Sequence, residues 1–291
     1  MPQVRRRKAE PETAKLDREN LGTDILEELI AIIDSEVKTS KIRIDDIVIG
    51  VFYTGVKLST GHGGVAFTPV QEIPDAVCCP KSYGKMPRSG HLSGQPLDVV
   101  LMQSMSLNPL ESAVGVAAIN AVSQKILFDG SYGKHKIIFY RDVLDEVEIK
   151  PTDTVAMIGA FTPYIKKLEG NVKNLYVIER NPRAISKGGT PLLPEELSKK
   201  LLPKADIVIA SGSTVVNHTV GEVLRLSRKA RQVVLSGPTA SMIPDPFFKR
   251  GVTVMGGVKI IDADRMLQVV GEAGSGYALL NECATKTLFK K

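Results

Sequence analysis

Apolar residues in the first part of the chain follow a helical spacing and then a strand spacing. Between residues 25 and 33 they recur at intervals of three and four, which predicts an amphipathic helix beginning near Asp24. Runs rich in β-branched residues cover 47–53, 56–58 and 65–68, and short glycine-containing turns separate them. These runs predict three antiparallel strands connected as a meander.

Two further helices are predicted after the meander. One begins at Pro96, and the other begins at Pro109, which suits the first helical position because Asn108 can cap it. This last helix runs to about Leu127, and its alanine-rich face allows a neighbouring element to approach closely. We therefore expect a small α+β domain over residues 21–148, after a disordered basic tail over residues 1–20.

The second half of the chain alternates short apolar runs with helical stretches. The runs cover residues 155–158, 175–178, 205–210, 233–235 and 252–255. This alternation predicts parallel βαβ units in a doubly wound sheet, and so an α/β domain over residues 149–291.

Composition narrows the class of protein. Hydrophobic residues make up 43% and charged residues 24% of the 291 residues, which excludes disordered, collagen-like and disulfide-framework proteins. The net charge is +6, but residues 5–8 supply four of these charges, so nucleic acid is not an expected partner. With no long apolar run and only three cysteines, we expect a soluble cytoplasmic protein with no membrane partner.

Polar residues and glycines follow four successive predicted strands. They occupy residues 159–163, 179–181, 211–219 and 236–239. Because parallel strands end at the same edge of a sheet, these segments are expected to line one ligand-binding crevice. This repetition is the main functional signal in the sequence.

Gly159 and Glu179 have the spacing of a turn glycine and a ribose-binding acid. The turn lacks the other two glycines that a dinucleotide pyrophosphate requires, so an adenosyl group or a smaller ligand fits the pattern better. A purely structural alternative is that Gly159 forms a tight turn and Glu179 pairs with Arg180. Similarly, Thr219 and Glu222 match a helix capping box, and Gly237 with Pro238 matches a simple turn.

The first domain offers fewer candidates. The segment 61–64 is a glycine-rich loop that could close over the crevice, and His62 within it is either a general base or a solvated side chain. The candidates for a soft-metal ligand are Cys78, Cys79, Cys283, His62 and His91. None of them has the paired spacing of a structural zinc site. The sequence therefore identifies neither a metal site nor a cofactor.

Five segments of the chain, in order, resemble the DUF364 family, which is named for heavy-metal chelation. They are NPLESAVGVAAINA from Asn108, VAMIGAFTPYI from Val155, YVIERNP from Tyr176, ADIVIASGSTVVNHT from Ala205 and LSGPTASMIPDPFFKRGVTVMGG from Leu235. Residues 22–123 are similar to the companion DUF4213 domain. The resemblance implies an enolase N-terminal-like domain followed by a Rossmann-like domain with an interdomain site. The positions that match family motifs are Gly64, Thr68, Asn120, Gly159, Glu179, Asn217, Thr219, Gly237 and Pro238.

Three functions remain open. The leading hypothesis is binding of a small polar metabolite or a metal chelate between the domains, with a role in heavy-metal chelation or acquisition. The second is a group-transfer or hydrolytic enzyme that uses an adenosyl cofactor on siderophore-like or pterin-like molecules, with Glu179 as general base. The third is a metal sensor or chaperone with cysteine ligands. The sequence leaves homo-oligomerisation open.

Overall fold

A computed structural model describes residues 22–73, 86–130, 132–181 and 189–291. The predicted basic tail over residues 1–20 lies outside these residues. So do Cys78 and Cys79, on which the metal-sensor hypothesis depends.

The first part of the described chain contains a helix and a three-stranded antiparallel sheet. Helix α1 spans Thr23–Glu36, and strands β1, β2 and β3 span Ile44–Ile49, Tyr53–Leu58 and Gly63–Phe67. The predicted meander is confirmed, but the prediction of one strand over 47–53 is wrong. The chain turns after β1, where the Gly50 N–H donates to the Tyr53 carbonyl over 2.9 Å.

The predicted flexible loop over residues 61–64 is also only partly a loop. Gly63 and Gly64 are buried members of β3, and only Gly61 and His62 lie in the turn before it. The His62 Nε2 atom lies 3.1 Å from Asp129 Oδ1. This contact joins the turn to the residue that directly follows the long helix over residues 109–128.

Two helices follow the meander. Helix α2 spans Leu97–Leu101 and helix α3 spans Pro109–Phe128. The predicted start of α3 is confirmed, because Asn108 Oδ1 accepts a hydrogen bond of 3.1 Å from the Leu110 N–H. Every residue from 112 to 124 is buried, so this helix has no solvent-facing side over that stretch.

The second part of the chain forms an eight-stranded sheet with the order β4-β11-β10-β9-β8-β5-β6-β7. Its strands are β4 Ile137–Phe139, β5 Thr154–Ile158, β6 Asn174–Ile178, β7 Leu192–Leu193, β8 Ile207–Ser211, β9 Gln232–Ser236, β10 Val254–Ile260 and β11 Ala284–Lys290. Six neighbouring strands, from β10 to β7, are parallel, whereas β11 pairs antiparallel with both β10 and β4. The predicted α/β fold class with a Rossmann-like sheet is confirmed.

The order of the parallel strands reverses between β5 and β8, as it does at the ligand-binding point of doubly wound folds. The helices of this part are α4 Thr162–Leu168, α5 Ser198–Leu201, α6 Ser213–Val216, α7 Val220–Leu226, α8 Asp245–Lys249, α9 Ala263–Gly271 and α10 Gly276–Glu282.

Strand β4 belongs to the eight-stranded sheet although it precedes the predicted domain boundary at residue 148. The division into two domains stays a prediction.

Helix α3 joins the two sheets. The Asn120 Nδ2 atom donates to the Val65 carbonyl over 2.7 Å and to the Thr239 carbonyl over 2.9 Å. One turn later on the same helix, Gln124 Oε1 accepts from the Ile260 N–H of β10 over 2.9 Å. One continuous hydrophobic core runs from α1, through α3, to the parallel sheet. The two sheets are therefore packed on a shared helix.

A glycine in β3 makes this packing close. A Cβ atom at Gly64 would collide with the backbone of α3 at Ala117 and Ala121. Backbone atoms of a buried helix cannot move aside without disturbing the core. Gly64 therefore contributes to stability by allowing β3 to pack closely against α3.

We predict that Gly64→Ala destabilises the protein by about 3 kcal/mol or more, because the new methyl group forces β3 away from α3. Urea unfolding measures this change. Gly133→Ala is the matched control, since a Cβ at Gly133 has open space around it. Equal unfolding free energies for the two variants would contradict the packing role.

Candidate functional site

A cavity of about 920 Å³ lies at the carboxyl ends of β5, β6, β8 and β9, where the order of the sheet reverses. The first part of the chain closes one side of it with residues from β2, β3 and the segment after β3. These residues are Tyr53, Phe67, Pro69, Gln71 and Glu72. The cavity thus lies between the three-stranded sheet and the parallel sheet.

Six of the nine predicted site residues line this cavity. They are Gly159, Glu179, Asn217, Thr219, Gly237 and Pro238. The other three lie outside the lining: Gly64 packs on α3, and the Thr68 hydroxyl bonds the Thr54 hydroxyl over 3.0 Å. Asn120 is fully buried and bonds the backbone of Thr239, a lining residue.

Two glycines shape the rim of the cavity. Gly159 and Gly237 follow β5 and β9 with φ angles of 96° and 115°, a region that residues with a Cβ atom rarely adopt. A Cβ at Gly237 would meet no atom within 4 Å, so only its backbone conformation requires glycine. A Cβ at Gly159 would also press on the Ser211 side chain.

The Glu179 carboxylate holds the loop beside it. One oxygen accepts from the Ala160 N–H and the other from the Asn181 N–H, each over 2.9 Å. The loop after β5 is therefore tied to the loop after β6. Each carboxylate oxygen retains a lone pair that a ligand hydroxyl could use.

Asn217 and Thr219 lie in the turn between α6 and α7. In the amide orientation that satisfies its neighbours, Asn217 donates to the Ser213 carbonyl and accepts from Arg180, both over 3.3 Å. The Thr219 side chain makes no capping hydrogen bond, and Glu222 lies near Lys199 instead. The capping-box interpretation is therefore wrong, and the Thr219 hydroxyl has no partner within the described part of the chain.

Arg180 crosses the cavity. Its Nη1 atom donates to Glu72 Oε1 over 2.7 Å, and its Nε atom lies 2.8 Å from Glu195 Oε2. Glu72 belongs to the first part of the chain, so this side chain connects the two sides of the cleft. Sequence reasoning considered Arg180 only as a partner of Glu179, and no local pattern indicated Glu72 or Glu195.

Hydroxyl groups provide much of the remaining polar lining. Ser213 donates to the Ser211 hydroxyl over 2.9 Å, and the Thr239 hydroxyl accepts from the Phe67 N–H over 2.9 Å. Tyr53 extends from β2, and burial raises the pKa of its phenol to about 12. The phenol therefore stays protonated at neutral pH and can donate a hydrogen bond. Tyr53 and Phe67 were missed because each lies inside a strand-like run.

The described side chains do not fit a directly bound metal ion. Over residues 22–73, 86–130, 132–181 and 189–291, no three His, Cys, Asp or Glu side chains are grouped to hold one. Cys283 is buried, and burial raises the pKa of its thiol to about 11. Glu72 and Glu195, two of the carboxylates that line the cavity, are both paired with Arg180.

Comparison with known protein families gives two adjoining matches. Residues 142–289 match the DUF364 family model and residues 32–123 match the DUF4213 model, both described as "Putative heavy-metal chelation". The chain belongs to the DUF364 family. This confirms the resemblance found in the sequence segments.

Three proteins to which the chain is similar are described without an activity. An uncharacterised protein from Methanocaldococcus jannaschii is 34% identical over 180 residues, which cover 62% of this chain and 66%, slightly under two thirds, of that protein. Two crystal structures of DUF364 proteins of unknown function are similar. The one from Pyrococcus horikoshii has a TM-score of 0.73 and covers 93% of this chain and 100% of that one, at 25% identity. The one from Desulfitobacterium hafniense has a TM-score of 0.71 and covers 92% and 99%, also at 25% identity.

Among the helices that the structure describes, none is both long and apolar enough to cross a bilayer.

We predict that Tyr53 makes the protein sensitive to alkaline pH. Between pH 10 and 12 the unfolded phenol loses its proton while the native phenol keeps it, so stability falls as the pH rises through this window. At about 1.4 kcal/mol per pKa unit, Tyr53 accounts for roughly 2–3 kcal/mol of that loss. Urea unfolding at pH 9 to 12 is expected to show a smaller loss in Tyr53→Phe than in the wild type, and no such difference in the exposed Tyr277→Phe control.

Proposed function

We propose that the protein binds a small polar metabolite or a metal chelate in the cleft between its two sheets. The observation that carries the proposal is the cavity itself. It lies at the point where the strand order reverses, and both parts of the chain line it. Its volume of about 920 Å³ is in the range of small-molecule sites.

The chemistry of the lining supports a polar ligand. Hydroxyls of Tyr53, Ser211, Thr219 and Thr239 border the cavity, and the Glu179 carboxylate keeps lone pairs available. Phe67 and Phe161 add apolar surface. Polar groups of this kind orient a ligand that the apolar walls bury.

For the proposed role in heavy-metal chelation or acquisition, we propose that the ligand, and not the protein, coordinates the metal. Hydroxyl and amide groups suit hydrogen bonding to a chelator, whereas soft metals prefer thiolate and imidazole ligands. A chelate therefore brings its own donor atoms and the protein recognises the organic shell. The cysteine-based sensor remains a separate hypothesis, because Cys78 and Cys79 are outside the described residues.

A second candidate is an enzyme that uses an adenosyl cofactor. Glu179 directly follows β6, the second parallel strand in chain order, and an acid at this place binds ribose hydroxyls in related folds. In this alternative Glu179 contacts the cofactor or acts as general base on a siderophore-like or pterin-like substrate. The turn at 159–163 lacks the glycines that a pyrophosphate requires, which is why an adenosyl group is favoured over a dinucleotide.

A thermal-shift panel separates these functions. Free divalent metals, metal–citrate chelates, S-adenosylmethionine and adenine nucleotides are tested on the full chain. A ligand at about 100 times its Kd adds roughly 2.7 kcal/mol to stability. We expect chelates to raise the melting temperature more than free metals do, whereas stabilisation by S-adenosylmethionine alone would favour the enzyme.

The same panel tests the site. Thr219→Val removes a hydroxyl that lines the cavity and has no described protein partner, so it is expected to lose most of the ligand-induced shift. Thr285→Val, on strand β11 outside the cavity lining, is the control. A shift that persists unchanged in Thr219→Val and Asn217→Ala would rule out this cleft as the binding site.

A further inference from the structure

Arg180 stands where two cavities meet. A second cavity of about 380 Å³ adjoins the first, and both are lined by the segment 179–181 together with Glu195 and Glu196. Arg180 therefore borders both cavities, and a ligand that occupies both lies beside this segment.

The guanidinium retains unused hydrogen-bond donors. Nη1 donates a hydrogen bond to Glu72, whereas Nε forms an ion pair with Glu195 at 2.8 Å. The Nη2 atom has no partner among the described residues, so its two N–H groups are available. A guanidinium held on both sides with free donors between the contacts is preorganised to bind one oxygen-bearing group.

The surrounding contacts keep Arg180 in place without burying it. Its side chain is 49% exposed, and those of Glu72 and Glu195 are 33% and 43% exposed. Ion pairs with this exposure contribute little to stability, but they leave the guanidinium open to solvent. An entering oxyanion can therefore reach Nη2.

Charge decides which oxyanion is favoured. Glu72 and Glu195 lie beside the guanidinium, and their repulsion of a ligand group grows in proportion to its charge. A carboxylate carries one negative charge, whereas a phosphate monoester carries about 1.5 to 2 at pH 7. A single carboxylate is thus the better match to this site.

We propose that Arg180 binds a carboxylate of the cleft ligand and that Glu72 and Glu195 are positioning residues for its guanidinium. The proposal rests on the cleft being a ligand site, and it assigns that ligand to the carboxylate-bearing class. Carboxylates are also common metal-binding groups of chelators, so the class is consistent with a bound chelate.

Nitrogen-15 NMR of the arginine side chains tests this directly. The Nε–H signal of Arg180 is identified by its absence in Arg180→Lys, whose remaining spectrum shows whether the variant is folded. Acetate is titrated into the wild type against sodium chloride at equal ionic strength, and inorganic phosphate is titrated separately. We expect a saturable shift of the Arg180 signal with acetate and a weaker response to phosphate.

Arg265 is an internal control in the same spectrum. Its Nε and Nη2 atoms contact Glu282 and its Nη1 atom contacts Gln268, so all three nitrogens are occupied. Its signal is expected to stay fixed.

An Arg180 signal that does not saturate, or that moves no more than that of Arg265, would overturn the proposal. Tighter binding of phosphate would overturn the choice of a carboxylate. If the acetate titration fails while Thr219→Val still abolishes the shift caused by another ligand, only the carboxylate assignment falls and the cleft remains the site.

Discussion

The architecture depends on how a fully buried helix satisfies its polar side chains. Helix α3 has no solvent-facing side over residues 112–124, so its polar groups depend on internal partners. The Asn120 NH2 group and both polar atoms of Gln124 find such partners in the backbone of β3, of β10 and of the loop after β9, whereas Asn120 Oδ1 has none among the described residues. The same hydrogen bonds that stabilise the core therefore fix the relative position of the two sheets, and so the shape of the cleft.

The two sides of the cleft differ in how firmly they are held. Thr239 is 3% exposed and is bonded by both Asn120 and the Phe67 N–H, so the base of the cleft is part of the core. Across the cavity, Arg180 is held by exposed ion pairs, which contribute little to stability. Ligand-dependent rearrangement is therefore expected at Arg180 rather than at the base.

The family description concerns heavy metals, yet the described lining is rich in hydroxyls and three of its carboxylates already have partners. Glu179 holds two loops together, and Glu72 and Glu195 hold Arg180. These side chains shape and charge the cleft instead of forming an open coordination sphere. A ligand that carries its own metal donors reconciles this chemistry with the description of the family.

The sequence alone determined the alternation of strands and helices, the start of α3 and the polar segments after four parallel strands. Parallel strands end at one edge, so six of the nine motif residues could be placed at the cleft from strand positions alone. Only the tertiary structure showed that Gly64 and Asn120 act in packing. Glycine permits close approach of either a helix or a ligand, and an amide can bond either backbone or a ligand, so the residue types do not distinguish these roles. It also brought Tyr53 and Glu72 to the cleft, since contacts between distant segments leave no local pattern. The turn after β1 was missed for a related reason: its residues, Val51 and Phe52, are as strand-like as their neighbours, and hydrogen bonding decided where the strand ended.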